Sequence, residues 1–265
     1  MQVGISTASL FLREKTEGAL KILSDNKIKC AEVFLESFCE YNKDFGKILK
    51  QVKGDIDVHS VHILTTQIEP QLYSVNERAN ADSFKILDEA MACAEEIKAK
   101  YYSFHGVTRM KVTPLNMNFE RIGKYTNKIM DTCLKHGVTL AYENVHWAYY
   151  NYIGFFSELK KYVPNLKGTL DIKQARQSKI SHNEYLKEMG KDIVTVHLSD
   201  IDKNGKMCLP GRGITDFNDL FTRLNDVGFD GAILLEVYPE DYLEYSELFE
   251  SMHYVEDLAN RYIKR

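Results

Sequence analysis

The sequence predicts an α/β chain folded as a single (β/α)8 TIM barrel over residues 1–265, and three observations lead there. Eight short β-rich runs recur along the chain with helical sequence between them, one βα unit each. Runs such as Gly231-Ala232-Ile233-Leu234-Leu235 and Ile193-Val194-Thr195-Val196 are continuously apolar, as strands covered on both faces must be. The length of 265 residues is what one closed barrel needs, about 250. No GxGxxG follows the first run, which removes the main support for an open dinucleotide-binding sheet.

In chain order the expected strands are 3–6, 31–35, 56–59, 101–105, 139–143, 168–171, 193–197 and 232–236. Between them, apolar residues recur at helical period: Phe84, Leu87, Met91, Ala94 and Ile97 in one stretch, Ile122, Tyr125, Ile129 and Leu134 in another. Those faces are expected to pack on the outside of the sheet. Three connections after strand C-termini are long, 60–75, 146–154 and 199–217, and such loops build the sites of barrels.

Composition narrows the function. The formal net charge of −4, from 34 Lys+Arg against 38 Asp+Glu, lacks the basic footprint of a protein that binds a phosphate backbone, so no nucleic-acid partner is expected. No stretch is long and apolar enough for a membrane span, and the chain enters strand-like sequence at Met1-Gln2-Val3 with no signal-peptide pattern. Cys30, Cys39, Cys93, Cys133 and Cys208 are odd in number and scattered, which reads as reduced thiols in a cytoplasmic protein.

Six of the eight runs end in a group that binds metals or moves protons: His59, His105, Glu143, Asp171, His197 and Glu236. Any one of them reads as well as a polar strand end turning to water. Together, at the same end of a barrel, they read as a site. Two Glu, one Asp and one imidazole suit one divalent ion, Mn, Mg, Co or Zn, and no thiolate is placed to make a closed structural centre.

These residues and their neighbours resemble the xylose isomerase-like barrels, which comprise sugar and sugar-phosphate isomerases and epimerases together with the endonuclease IV group. The resemblance covers essentially the whole chain. It is carried by Val58-His59-Ser60, Ser103-Phe104-His105-Gly106, Ala141-Tyr142-Glu143-Asn144, Thr169-Leu170-Asp171, Val196-His197-Leu198-Ser199-Asp200, Pro210-Gly211-Arg212-Gly213 and Leu234-Leu235-Glu236. It implies a metal held by Glu143, Asp171, His197 and Glu236, with Glu143 and Glu236 also moving protons on a carbon beside a carbonyl through an enediolate. The implied substrate is a small-molecule sugar or sugar phosphate, and a keto-inositol dehydratase using the same enolate chemistry is the alternative. An endonuclease IV-like phosphodiesterase is disfavoured, because Gln174 stands where that motif continues to a histidine, and Gly205 and Met207 stand where an Asp and a His are expected.

Around that core, His59, His105, Gln174, Trp147 and Arg212 are the expected substrate-binding residues, with a second metal as the other functional reading of the two histidines. His62 reads as ordinary loop. The aromatic segment 146–152 offers either an apolar wall for a sugar or a subunit interface in a homo-oligomer. Lys203, Lys206 and Arg212 with the glycines of 210–213 suggest a phosphate cradle, against the reading of a solvated turn.

Overall fold

All eight predicted runs form strands of one closed parallel barrel in the computed structural model, which describes residues 1–64, 68–109 and 117–262. The strands are β1 (Gln2–Ser6), β2 (Cys30–Leu35), β3 (Asp57–Ile63), β4 (Tyr101–Phe104), β5 (Thr139–Glu143), β6 (Lys167–Asp171) and β7 (Ile193–Leu198). A small antiparallel hairpin, β8 (Asp200–Ile201) and β9 (Met207–Cys208), precedes the last barrel strand, β10 (Ala232–Leu235). The barrel closes because β1 pairs with both β2 and β10.

The helices are α1 (Thr16–Asp25), α2 (Lys43–Val52), α3 (Glu77–Glu96), α4 (Phe119–Lys135), α5 (Phe155–Lys160), α6 (Ile172–Gln177), α7 (His182–Met189), α8 (Phe217–Asp226) and α9 (Tyr245–Tyr262). Short polar residues start several of them: Asn42, Asn76, Asn118 and Asp216 each accept from a first-turn amide, and Ser181 with Glu184 forms a capping box. Each such cap stabilises its helix by about 1 kcal/mol. Leu87, Met91 and Ala94 of α3 and Ile122 and Ile129 of α4 are buried as their period predicts. Leu134 departs from it: 53% of that side chain is exposed, and Cys133 turns inward instead.

Alternation along the strands separates two environments. Val33, Leu35, Val61, Phe104, Leu140, Tyr142, Leu170, Val196, Leu198, Ile233 and Leu235 belong to the buried apolar core. The alternate residues fill the lumen, and much of that filling is polar: Ser6, Glu32, Ser60, Ser103, Thr195 and His197 are all buried.

One strand differs from its expected bounds by more than one residue at an end. β3 does not end at His59 but runs to Ile63, and its register against β2 passes from Ala31↔Val58 to Glu32↔Ser60. His59 is thus the extra residue of a β-bulge. The connection expected over 60–75 accordingly begins four residues later; its residues 65–67 lie outside the described residues, and Glu69–Tyr73 form a 3-10 turn. Among the described residues no helix is long and apolar enough to cross a membrane, and all five cysteines are free.

Candidate active site

The C-terminal ends of β5, β6, β7 and β10 bring together the acidic and imidazole groups expected there. Glu143, Asp171 and His197 each offer a ligand atom within 4.8 Å of the others. Glu236 follows β10 directly and joins them through His197, whose Nδ1 lies 3.0 Å from Glu236 Oε2 and 3.6 Å from Glu143 Oε1. Each residue has one buried side-chain atom that makes no well-directed hydrogen bond: Asp171 Oδ2, Glu143 Oε2, which has His105 Nε2 at 3.3 Å, and His197 Nδ1 and Glu236 Oε2, which face each other at 3.0 Å. Leaving such atoms unsatisfied is expensive, and several converging on one point is the signature of a site completed by something else. Three carboxylate oxygens and one imidazole nitrogen are a donor set that fits a divalent cation.

The other oxygens of these carboxylates are fixed. Asp171 Oδ1 caps α6 by accepting from Gln174 N at 2.9 Å, and Asn144 ties the ends of β5 and β6, accepting from Asp171 N and donating to Asp171 O. Lys173, 4% exposed, donates to Glu236 Oε1 at 3.3 Å, stands 3.9 Å from Asp171 Oδ2 and lies over the Tyr238 ring. Glu32, on β2, lies against His197 Nε2 from below. At the rim, His105 Nε2 is 3.3 Å from Glu143 Oε2 and 3.1 Å from His62 Nε2, and its backbone N–H donates to Glu69.

Electrostatics follow from burial against charge. Burial opposes ionisation of Glu143, but His105 and His197 override it and hold the carboxyl well below its usual range. Asp171 has less help; burial, only partly offset by Lys173, pushes it up to about 7. Burial would lower His105, yet Glu143 and Glu69 lift it to about 9, while His62, buried beside His105, falls to about 4. Burial also works against a charged Lys173, and the Asp171 and Glu236 carboxylates reverse it, so the ammonium is retained. The buried centre therefore carries charge of both signs.

Against known proteins, the family model described as "Xylose isomerase-like TIM barrel" matches residues 20–257. The chain belongs to the xylose isomerase-like TIM barrel family. Among solved structures it is similar to a D-tagatose 3-epimerase-like protein, at 17% identity and TM-score 0.79 over 98% of this chain and 99% of that one. It is also similar to an IolI protein with a bound zinc atom, at 14% identity and TM-score 0.80 over 100% of both chains. A D-psicose 3-epimerase with D-tagatose from Clostridium cellulolyticum H10 aligns at 14% identity and TM-score 0.76, again over 100% of both. No curated protein sequence matches the chain.

Two expected site residues of this xylose isomerase-like barrel, His59 and Arg212, stand elsewhere. His59 is not at the mouth: its Nε2 meets Val194 O at 3.1 Å and Thr195 Oγ1 at 3.0 Å across the lumen, one side-chain layer below His197. The bulge is the reason, since the extra residue moves the following strand by one position and brings His62, expected in a loop, to the rim instead. Arg212 is also displaced from the site; it is exposed and pairs with Glu247 of α9 at 2.5 Å. The amides expected to cradle phosphate are taken, because Asp200 accepts from Gly211 N, Gly213 N and Thr215 N at 3.1, 2.9 and 3.0 Å.

Gln174 and Trp147 lie by the mouth. Gln174 Oε1 accepts from His146 Nδ1 at 2.6 Å and from its backbone N–H at 3.2 Å, and the Trp147 ring packs 5.3 Å from that of His105. The aromatic segment divides: Tyr150 is fully buried between Phe155, Phe156 and Tyr185, whereas Trp147 packs against His105 at the rim. Four residues of the centre escaped the sequence reading: Glu32, Glu69, Lys173 and Asn144. Glu32 alone had a clear signal, a charge in the middle of the otherwise apolar run Cys30-Ala31-Glu32-Val33-Phe34-Leu35.

Proposed function

We propose that the protein is a divalent-metal-dependent isomerase or epimerase of a sugar, transferring a proton on the carbon next to a carbonyl. The observation that carries this reading is the convergence of four buried donor atoms, one each from Glu143, Asp171, His197 and Glu236, none of which makes a well-directed hydrogen bond. A divalent ion, when bound, supplies polarisation of the carbonyl and charge compensation for an enediolate.

The chain's own residues account for the rest. Glu143 and Glu236 sit on either side of His197 along the mouth, with two strands between them, and so can face a substrate from two directions. One removes the carbon-bound proton and the other returns it. Lys173 holds Glu236 by the oxygen turned away from His197, and His105 holds Glu143. Trp147 offers an apolar face for the carbon side of a sugar, and Gln174, anchored by His146, borders it. Because Asp200 occupies the amides of the 210–215 loop, an unphosphorylated sugar is better supported than a sugar phosphate.

The test is exchange of a carbon-bound proton of a ketose into deuterated water by the metal-loaded protein. Wild type should exchange, and Glu143→Gln and Glu236→Gln should each lose roughly 10²–10⁴-fold, the usual share of a general acid or base. Undiminished exchange in either variant would remove the mechanism. Formation of an unsaturated carbonyl product would replace it with dehydration.

A further inference from the structure

The proton-transfer scheme leaves unused a carboxylate at the centre of the lumen. Glu32 of β2 is 0% exposed and accepts from Ser6 of β1 at 3.1 Å, Ser60 of β3 at 2.7 Å and Ser103 of β4 at 2.7 Å. Its last partner comes from across the barrel: His197 Nε2 on β7 stands 3.1 and 3.2 Å from its two oxygens. A buried carboxylate is tolerated only when donors saturate it, and an apolar side chain would fill such a space at lower cost. The charge is explained by what it holds.

We infer that Glu32 is a positioning residue for the proposed metal centre: it keeps the proton of His197 on Nε2, so that Nδ1, which faces the carboxylates of Glu236 and Glu143, presents its lone pair to the ion. The inference rests on the metal-dependent reading above. It follows from the two nitrogens of one ring, since a hydrogen bond at one decides which atom is free to ligate. The three serines, from three different strands, fix the carboxylate that fixes the ring. Glu32 also has an oxygen within 4.8 Å of ligand atoms of His62 and Glu236, but an ion there would compete with donors that already occupy it.

Titration of the folded, metal-free protein with Co²⁺ tests the inference without any assay of activity. Glu32→Gln keeps the shape and loses the charge, and should bind Co²⁺ ~10–100-fold more weakly than wild type, the usual effect of losing a carboxylate behind a ligating histidine. In a His197→Asn background, where the ring is already gone, the same change should have no further effect. Binding by Glu32→Gln as tight as wild type, or an equal loss in both backgrounds, overturns the inference while leaving the metal centre intact. A wild-type chain that takes up no Co²⁺ overturns both readings. Should Glu32→Gln fail to fold, the zinc-loaded wild type decides: ¹⁵N spectra should place the His197 proton on Nε2, and a proton on Nδ1 contradicts the assignment.

Discussion

The two sides of the barrel mouth use the same chemical group in opposite ways. On the side built by β5, β6, β7 and the residue after β10, each carboxylate keeps one buried oxygen without a well-directed hydrogen bond. On the side built by β2, β4 and the 3-10 turn after β3, they are buried and saturated. Glu32 has its three serines and His197, and Glu69 accepts from Tyr102 Oη at 2.6 Å and from the backbone amides of His105 and Gly106 at 3.0 Å each. Gly106 completes this second site by necessity, since its φ is +77° and a Cβ there would meet Tyr142 Oη at 1.9 Å. Burial therefore does not distinguish the two groups of carboxylates. The supply of donors does: Glu32 and Glu69 are saturated, whereas each acid of the other group keeps an oxygen without a well-directed donor.

The contrast is broken most sharply by exchanging one acid on each side for its amide. Asp171→Asn keeps the cap on α6 but removes a bare oxygen, so metal affinity should fall by more than the roughly 100-fold that loss of a supporting contact costs. The metal-free chain should lose little stability, because Asn still caps α6 and the buried Lys173 keeps Glu236 as its partner. Glu69→Gln should do the reverse, costing about 1–3 kcal/mol of stability in denaturant unfolding while metal affinity stays put. Equal effects of the two changes on metal binding would erase the distinction.

A smaller effect concerns the layer below the mouth. Burial holds His59 neutral, with its pKa lowered from 6.5 to about 4. As pH falls from 6.5 towards 4 the unfolded chain takes up a proton that the folded chain refuses, so stability is lost across that window. His59→Gln should flatten this loss, measured as the denaturant midpoint against pH; an unchanged slope would show that His59 does not contribute. Smallest of all is Arg212→Ala, which breaks a solvent-screened ion pair with Glu247 and should leave the KM for a ketose unchanged. A rise in that KM would return Arg212 to the substrate.

Much of this was legible in the sequence, for reasons that differ by strand. The run 139–143 matches β5 at both ends because its lumen face is small until Glu143, so the apolar pattern and the strand stop together. In β3 the polar Ser60 and His62 face the lumen while Val61 and Ile63 join the apolar core, and a polar lumen looks like a strand end to any reading that expects both faces apolar. The bulge at His59 compounds this, since period two no longer tells which histidine points inward. Lys173 and Glu69 gave no periodic signal; they become part of the centre only once α6 and the turn after β3 are folded over it. Arg212 misled for the opposite reason. A cation among glycines resembles a phosphate cradle until Asp200 is seen holding the amides from within.

X-ray absorption at the zinc edge of the zinc-loaded protein tests the central claim most directly. The account predicts one ion per chain in a sphere of one imidazole nitrogen and carboxylate oxygens at about 2.0–2.2 Å, lost in Asp171→Asn. Two or more imidazoles around the ion would move the centre to His62 and His105. Absence of any stoichiometric zinc would contradict the account outright.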